Sequence, residues 1–390
     1  MTDFSDADSP STPAMPNSSV TSGAGNRAKF KLVVSDFHLG KGRYFRDGTQ
    51  NILEDFVYDR EFAEFLNYYR SGSFSENEVE LVLNGDILNL LQVDTYGVHT
   101  HLITERSVER ALQRIIAGHP EFFLALRRFA AAPNHTISYV VGNHDVGMLW
   151  PGPRKLFSEA CGVSVTFHDV SYRIDGLHIE HGQQYERFAQ VDMRKPFITA
   201  GLPEPVLNLP WGSLFVAVVL PKIKQERPHV DKVRPFNTFL RWVLIHDPWW
   251  GIKTGLGVAK FVFDTLLFQR RYQIRQGVRA TLGLLKEISL YPNYDRLAFR
   301  ILEENDDIHT VIFGHTHILR YRQWREGKEY FNEGTWNEAT NLSLEDYGRS
   351  IRLTYAFVEY PVGTQAHSPR TKVRLKQWHG EWRPESEILV

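Results

Sequence analysis

Lys29-Phe30-Lys31-Leu32-Val33-Val34-Ser35-Asp36-Phe37-His38 is the stretch on which the reading of this chain turns. Its first six residues form a short β-type run that leads directly into an aspartate and a histidine two positions apart. The same construction recurs downstream. Residues 79–83 run into Asn84-Gly85-Asp86, 136–141 into Gly142-Asn143-His144-Asp145, 177–180 into His181-Gly182, and 310–313 into Gly314-His315-Thr316-His317. Between the first runs, Phe62, Phe65, Leu66 and Tyr69 lie at helical spacing, and 101–132 reads as one or two helices. Strands alternating with helices predict a layered core built from βαβ units. Later segments (319–324, 330–331, 351–358 and 373–378) alternate as antiparallel strands do. The expected fold is therefore α/β (α+β), a four-layer β-sandwich in which two facing sheets are flanked by helices.

Ligand-type side chains at strand ends are gathered onto one edge of a sheet although they are far apart in sequence. Aspartate, asparagine and histidine are suitable oxygen and nitrogen donors for divalent transition metals. In the Asp-x-His and His-x-His pairs, alternate side chains on extended backbone share one side, so both can face one ion. Glycine next to nearly every such residue permits the tight turns and close approach that a metal site requires. Taken singly, an Asp-x-His or a Gly-Asp is common by chance, and His181 alone reads as a surface residue at a strand end. All five motifs in succession, each after a β-type run, are not explained that way.

The series D-x-H, G-D, G-N-H-D, H-G and G-H-x-H, spanning about 33–317, resembles the calcineurin-like metallophosphoesterase family. The resemblance implies two divalent metal ions, Mn foremost, with Fe, Zn or Co as alternatives. One would be held by Asp36, His38, Asp86 and His317, the other by Asp86, Asn143, His181 and His315, with Asp86 bridging. It also implies that His144 serves the phosphate or the leaving oxygen, that Asp145 orients His144, and that a metal-activated water attacks phosphorus. The chain departs from the family pattern at Asn89, where a carboxylate is usual, which predicts an adjusted site rather than a lost one.

Composition places limits on what surrounds this site. The first 27 residues, rich in Ser, Thr, Pro and Gly, read as a disordered tail without the features of a signal peptide. The single cysteine, Cys161, excludes an internal disulfide and suits a reducing compartment. No stretch has the roughly 18–20 apolar residues of a spanning helix, 206–220 being broken by Pro210 and closed by Pro221. The net charge of −1 conceals an asymmetry: residues 185–300 hold 18 Lys/Arg against 9 Asp/Glu.

These features divide the chain into a core (28–182 and 301–390) and a helical, basic, Trp-rich insertion (183–300) that faces substrate or membrane. Arg271, Arg275 and Arg279, together with Asn89, are the expected substrate contacts. Basic helices with apolar, tryptophan-bearing faces suit a bilayer surface or a lipid-bearing substrate. In the placement of its insertion the chain is similar to the UDP-2,3-diacylglucosamine diphosphatase branch of the family. This implies hydrolysis of a phosphodiester or pyrophosphate in a lipid-linked sugar nucleotide by a cytoplasmic enzyme peripheral on the inner membrane face. Two alternatives stand beside it: a soluble phosphoesterase acting on nucleotides, nucleic acid or phosphoprotein, and a non-catalytic protein-binding scaffold. No specific protein partner is expected.

Overall fold

The computed structural model describes residues 27–94, 97–230, 232–234, 236–271, 293–341, 348–360, 371–381 and 384–388. All of the expected tail except Arg27, together with Arg275 and Arg279, lies outside the described residues. The first strands are β1 (Lys29–Val34), β2 (Glu78–Asn84), β3 (His135–Val140), β4 (Thr166–His168), β5 (Ser171–Ile174) and β6 (Leu177–Glu180). There follow β7 (Phe197–Ile198), β8 (Val206–Leu207), β9 (Val233–Arg234), β10 (Thr310–Phe313), β11 (Arg320–Gln323) and β12 (Glu329–Asn332). The last are β13 (Ala339–Asn341), β14 (Gly348–Ser350), β15 (Leu353–Glu359), β16 (Lys372–Trp378) and β17 (Glu385–Glu387). A seven-stranded sheet has the order β17-β16-β15-β1-β2-β3-β4, and a five-stranded sheet the order β11-β12-β10-β6-β5.

Side chains alternate across each strand, and here both faces are buried. Leu32 and Val34 of β1, Leu81 and Leu83 of β2, and Ile137 and Tyr139 of β3 face the helix-side core. Val33, Val82 and Val140, the residues between them, meet Ile179, Ile312 and Phe331 of the second sheet. Helices α1 (Asp59–Tyr69), α2 (Glu105–Gly118), α3 (Pro120–Ala130) and α4 (Pro151–Cys161) cover the outer face of the first sheet. α1 buries Phe62, Phe65, Leu66 and Tyr69, the residues picked out by spacing. On the second sheet, the helix Tyr294–Glu304 buries Tyr294, Ala298, Ile301 and Leu302. The four expected layers are present: helices, sheet, sheet, helix.

β1, β2 and β3 pair in parallel with their ends level, Val34 opposite Leu83 and Asn84 opposite Val140. In the second sheet β6 and β10 are also parallel, with Glu180 opposite Phe313. Parallel pairing sets all five motifs at the same end of their strands, which is how the fold gathers the site.

The segment from 183 contributes the β7–β8 hairpin, α5 (Trp211–Val218), α6 (Leu220–Glu226), α7 (Phe236–His246) and α8 (Pro248–Arg271), ahead of the Tyr294–Glu304 helix, now α9. The 206–220 run, too broken by proline for a spanning helix, is packed inward: Val206, Leu207, Leu209, Trp211, Leu214 and Ala217 are buried, all but Val206 within the helix-side core. Its prolines are not only breakers: Pro210 is the N-cap of α5 and Pro221 sits in the first turn of α6, positions that do not need the missing N–H. α6 also docks through charge. The buried Lys224 Nζ bonds both carboxylate oxygens of Asp55 (2.8 and 2.7 Å), and Lys232 Nζ lies 3.3 Å from the same group. β9 pairs with β13. Among the described residues no helix is long and apolar enough to cross a membrane.

Trp336, fully buried, joins the chain after β12 to this core. Its ring packs on Phe37, Phe62 and Phe65, and its Nε1–H donates to the Thr354 carbonyl (2.8 Å). Trp336→Ala is expected to lower the unfolding free energy by about 3–5 kcal/mol, the cost of an emptied aromatic site. Urea denaturation measures it; a loss under about 1 kcal/mol would show that the core closes over the gap.

Candidate metal centre

The motif residues do not sit on extended backbone, as the sequence argument supposed. Asp36, His38, Asp86, His315 and His317 all have φ between 52° and 65°, the left-handed region that non-glycine residues avoid. Such strain persists only where the surroundings enforce it. His38 N donates to Asp86 O (2.9 Å), Asp36 N to Gly85 O (3.2 Å) and Gly314 N to His181 O (3.1 Å). Thr335 Oγ1 and Asn337 Nδ2 both donate to the Asp36 carbonyl (2.8 and 3.1 Å), and Asn337 also to that of Phe37 (2.9 Å). Two glycines are required by space. A Cβ at Gly85 (φ 78°) would lie 2.5 Å from the His181 ring, and one at Gly314 would lie 2.7 Å from Asp36 Oδ2.

The side chains converge into three overlapping groups whose ligand atoms lie within 4.8 Å of one another: Asp36, His38, His317; His38, Asp86, His144; and Asp86, His181, His315. His317 Nε2 is 3.1 Å from Asp36 Oδ1 and 3.1 Å from His38 Nε2. His181 Nε2 is 3.2 Å from Asp86 Oδ2 and 4.0 Å from Asp36 Oδ1. The fold thus brings together six of the seven expected ligands and places Asp86 in two groups. The seventh, Asn143, is buried with its Oδ1 lacking any hydrogen bond.

The donor set fits divalent cations. Asp36 Oδ1, Asn143 Oδ1 and His181 Nε2 are all buried without a hydrogen bond, whereas buried polar atoms ordinarily have partners. His181 is fixed in orientation: its Nδ1–H donates to the Asn84 carbonyl (2.9 Å), leaving Nε2 turned to the carboxylates. Electrostatics agree. Burial pushes the Asp36 carboxyl up, but His181 and His317 outweigh it and hold it at about 2. Asp86 lies well below the usual range because His181 and His144 outweigh the same burial penalty. Burial drives His38 down to about 3, with His144 adding to the effect. His181 goes the other way: Asp86 and Asp36 overcome burial and raise it to about 10. Two buried carboxylates demand positive charge, and without a cation His181 supplies it as a proton.

The expected role of Asp145 is corrected. Its carboxylate accepts from Gly142 N (2.6 Å), Ile87 N (2.9 Å) and Tyr139 Oη (2.5 Å), so it braces two motif loops. Burial and the nearby Asp86 push it up to about 7. It is Asn89 that orients His144, with His144 Nδ1–H donating to Asn89 Oδ1 (2.9 Å). The one departure from the family pattern is therefore a direct partner of His144. Burial holds the His144 imidazole below its usual range, so the ring is neutral near pH 7. Arg271 is the last residue of α8. His178 bonds Glu180 and Arg173 in a separate network.

Sequence reasoning missed four residues. Thr335 and Asn337, in the chain that follows β12, donate to the Asp36 carbonyl. Glu333 accepts from Asn84 Nδ2 (2.9 Å), and burial raises its carboxyl to about 8. Glu186, just inside the insertion, lies 3.1 Å from His315 Nε2. Only their closeness to the motifs along the chain could have marked them.

A family model described as calcineurin-like phosphoesterase matches residues 32–319. No curated protein matches the chain. Among solved structures it is similar to a dimetal phosphatase from Danio rerio (10% identity, TM-score 0.36, covering 93% of this chain and 99% of that one). It is similar also to YfkN, a calcineurin-like phosphoesterase from Bacillus subtilis (12%, 0.34, 90% and 91%). A third is a predicted phosphoesterase from Streptococcus pneumoniae TIGR4 (10%, 0.30, 93% and 97%).

Because His181 holds a proton up to about 10, a cation taking its Nε2 near neutral pH must displace that proton. Calorimetric titration of the metal-free protein with Mn²⁺ at pH 7.5, in buffers of different ionisation enthalpy, is expected to show about one proton released. Affinity should fall as pH is lowered. Heats independent of buffer would contradict this account of the site.

Proposed function

The chain belongs to the calcineurin-like phosphoesterase family, hydrolases of phosphoester bonds, and from that premise we propose a two-metal enzyme acting on a phosphodiester or pyrophosphate in a lipid-linked or nucleotide-linked substrate. Asp36, His38, Asp86 and His317 would hold one divalent cation, and Asp86, Asn143, His181 and His315 the other. Manganese is the first candidate, and the oxygen and nitrogen donor set also accepts Fe, Zn or Co. Bound cations there supply Lewis acidity, lowering the pKa of water and neutralising phosphoryl oxygens. The protein's own contribution is positional. The left-handed loops aim the donors, and Asp145 and Tyr139 brace the loops carrying Asp86 and Asn143. Asn89 holds the Nδ1 proton of His144 and turns Nε2 to the site, so His144 would serve the leaving oxygen only after Nε2 has itself taken up a proton.

The exposed apolar strip on α7 and α8 is the observation that carries the substrate class. Trp249 is 81% exposed, Ile245 73% and Leu256 68%, and Ile252, Phe263 and Leu267 join them. Lys253 and Lys260 lie among these residues, exposed and paired with Glu226 and Asp264. An exposed apolar, tryptophan-bearing strip bordered by ion pairs has the chemistry that settles into a bilayer interface. It is tied to the site side of the core: Lys253 and Trp250 bond Glu226 of α6, whose Lys224 bonds Asp55. We read 183–300 as a cap that brings the centre to a membrane surface on its cytoplasmic side, with Arg271, Arg275 and Arg279 as substrate contacts; Asn89, buried against His144, is the partner of that ring instead.

Purified protein with Mn²⁺ is expected to release nucleoside monophosphate from a diacylated sugar nucleotide and to pellet with anionic vesicles. Trp249→Ser combined with Leu256→Ser should lower pelleting at least roughly tenfold, given the apolar area removed, while sparing hydrolysis of a simple soluble diester. Robust diester hydrolysis with no vesicle binding and no release from the lipid substrate would favour a soluble phosphoesterase. Steep salt dependence on nucleic acid would make it a nuclease.

A further inference from the structure

Glu186 is five positions after His181, at the start of the insertion, and its side chain is mostly buried. Its two oxygens are committed in different directions. Oε2 lies 3.1 Å from His315 Nε2, while Oε1 accepts from the Tyr294 hydroxyl at 3.0 Å. Tyr294 opens α9, the helix by which the chain returns to the core, and its hydroxyl also lies 3.3 Å from the Gly182 carbonyl. The Tyr294 ring packs near His315, with centroids 6.4 Å apart. The outgoing and returning stems of the insertion are thus joined side by side, and the joint rests on a candidate metal ligand.

We infer that Glu186 is a positioning residue for His315, and that the Glu186–Tyr294 pair makes the base of the insertion respond to metal binding. The inference rests on the reading of His315 as a ligand. Glu186 is not itself among the convergent donor groups, whereas His315 is. With Nε2–H given to the carboxylate, Nδ1 is the ring atom left to face a cation, so Glu186 sets both tautomer and ring angle. A histidine ligand whose other nitrogen donates to a carboxylate is more basic and better aimed, and losing such a partner typically weakens metal binding by about 10–100-fold. The coupling is reciprocal: an ion that fixes His315 fixes Glu186, and through Tyr294 it fixes both stems.

The test uses Mn²⁺ titration of the full-length protein by calorimetry, with Glu186→Ala, Glu186→Gln, Tyr294→Phe and His315→Ala. Glu186→Ala is expected to weaken one of two bound ions by about 10–100-fold and to leave the other near its wild-type affinity. Glu186→Gln keeps an oxygen acceptor and should recover most of that loss, and Tyr294→Phe should fall between the two. Hydrogen exchange supplies a readout independent of activity: Mn²⁺ should slow exchange at 183–190 and 293–298 in the wild type but not in Glu186→Ala. If Glu186→Ala binds both ions as the wild type does while His315→Ala loses one, the inference falls and the ligand reading stands. Glu186→Gln failing as badly as Glu186→Ala would make the charge a direct ligand and also overturn positioning. If His315→Ala keeps both ions, the ligand reading itself is wrong.

Discussion

Asp36 and Asp86 are two almost fully buried carboxylates, and the rest of the site follows from the need to neutralise them. Unpaired charge in a protein interior is costly, so the surrounding groups must supply cations, protons or hydrogen-bond donors. Each supply is visible. Asp36 Oδ2 accepts from His315 N (3.0 Å) and from the Ser35 hydroxyl, while Asp86 Oδ1 accepts from His144 N (2.8 Å). The other oxygen of each is left to the histidines. The opposite movements of Asp86 and His181 away from their ordinary pKa values are two faces of the same demand.

Holding these groups together costs backbone strain at five residues, and the sandwich is organised to bear it. Parallel strands end level, so neighbouring motif loops hydrogen-bond to one another instead of to solvent. The chain following β12 clamps the Asp36 carbonyl from the opposite sheet through Thr335 and Asn337. Glycines at 85 and 314 leave the room that a side chain would take from His181 and Asp36. The apolar layers on both faces of β1 give these loops a stiff base, so the strain is carried by packing distant from the chemistry.

Much of this was legible in the sequence because it depends on local periodicity. The β-type runs, α1 with its four buried aromatic and leucine residues, and the gathering of the motifs at strand ends could all be read from spacing. What could not be read depends on contacts across the fold. Asp145 lies next to His144 in sequence but faces Gly142, Ile87 and Tyr139, whereas Asn89, 55 residues away, holds the ring. The left-handed backbone of the Asp-x-His and His-x-His pairs has no signature in their residue types. The inward packing of the 206–220 run has no signature of its own: an apolar stretch in a basic, tryptophan-rich region is ambiguous, and only docking against the core separates it from the exposed strip of α7 and α8.

The insertion is bound to the core by contacts of quite different kinds: apolar burial of α5, the Lys224–Asp55 pair, the β9–β13 pairing, and the Glu186–Tyr294 joint at its stems. The central claim is that the carboxylate–histidine cluster is one centre for two cations sharing Asp86. Anomalous diffraction from crystals grown with Mn²⁺ tests it most directly. The account predicts two separate anomalous peaks, one beside Asp36, His38 and His317 and one beside Asn143, His181 and His315, with the Asp86 carboxylate touching both. A single peak, or two peaks that do not share Asp86, would contradict it.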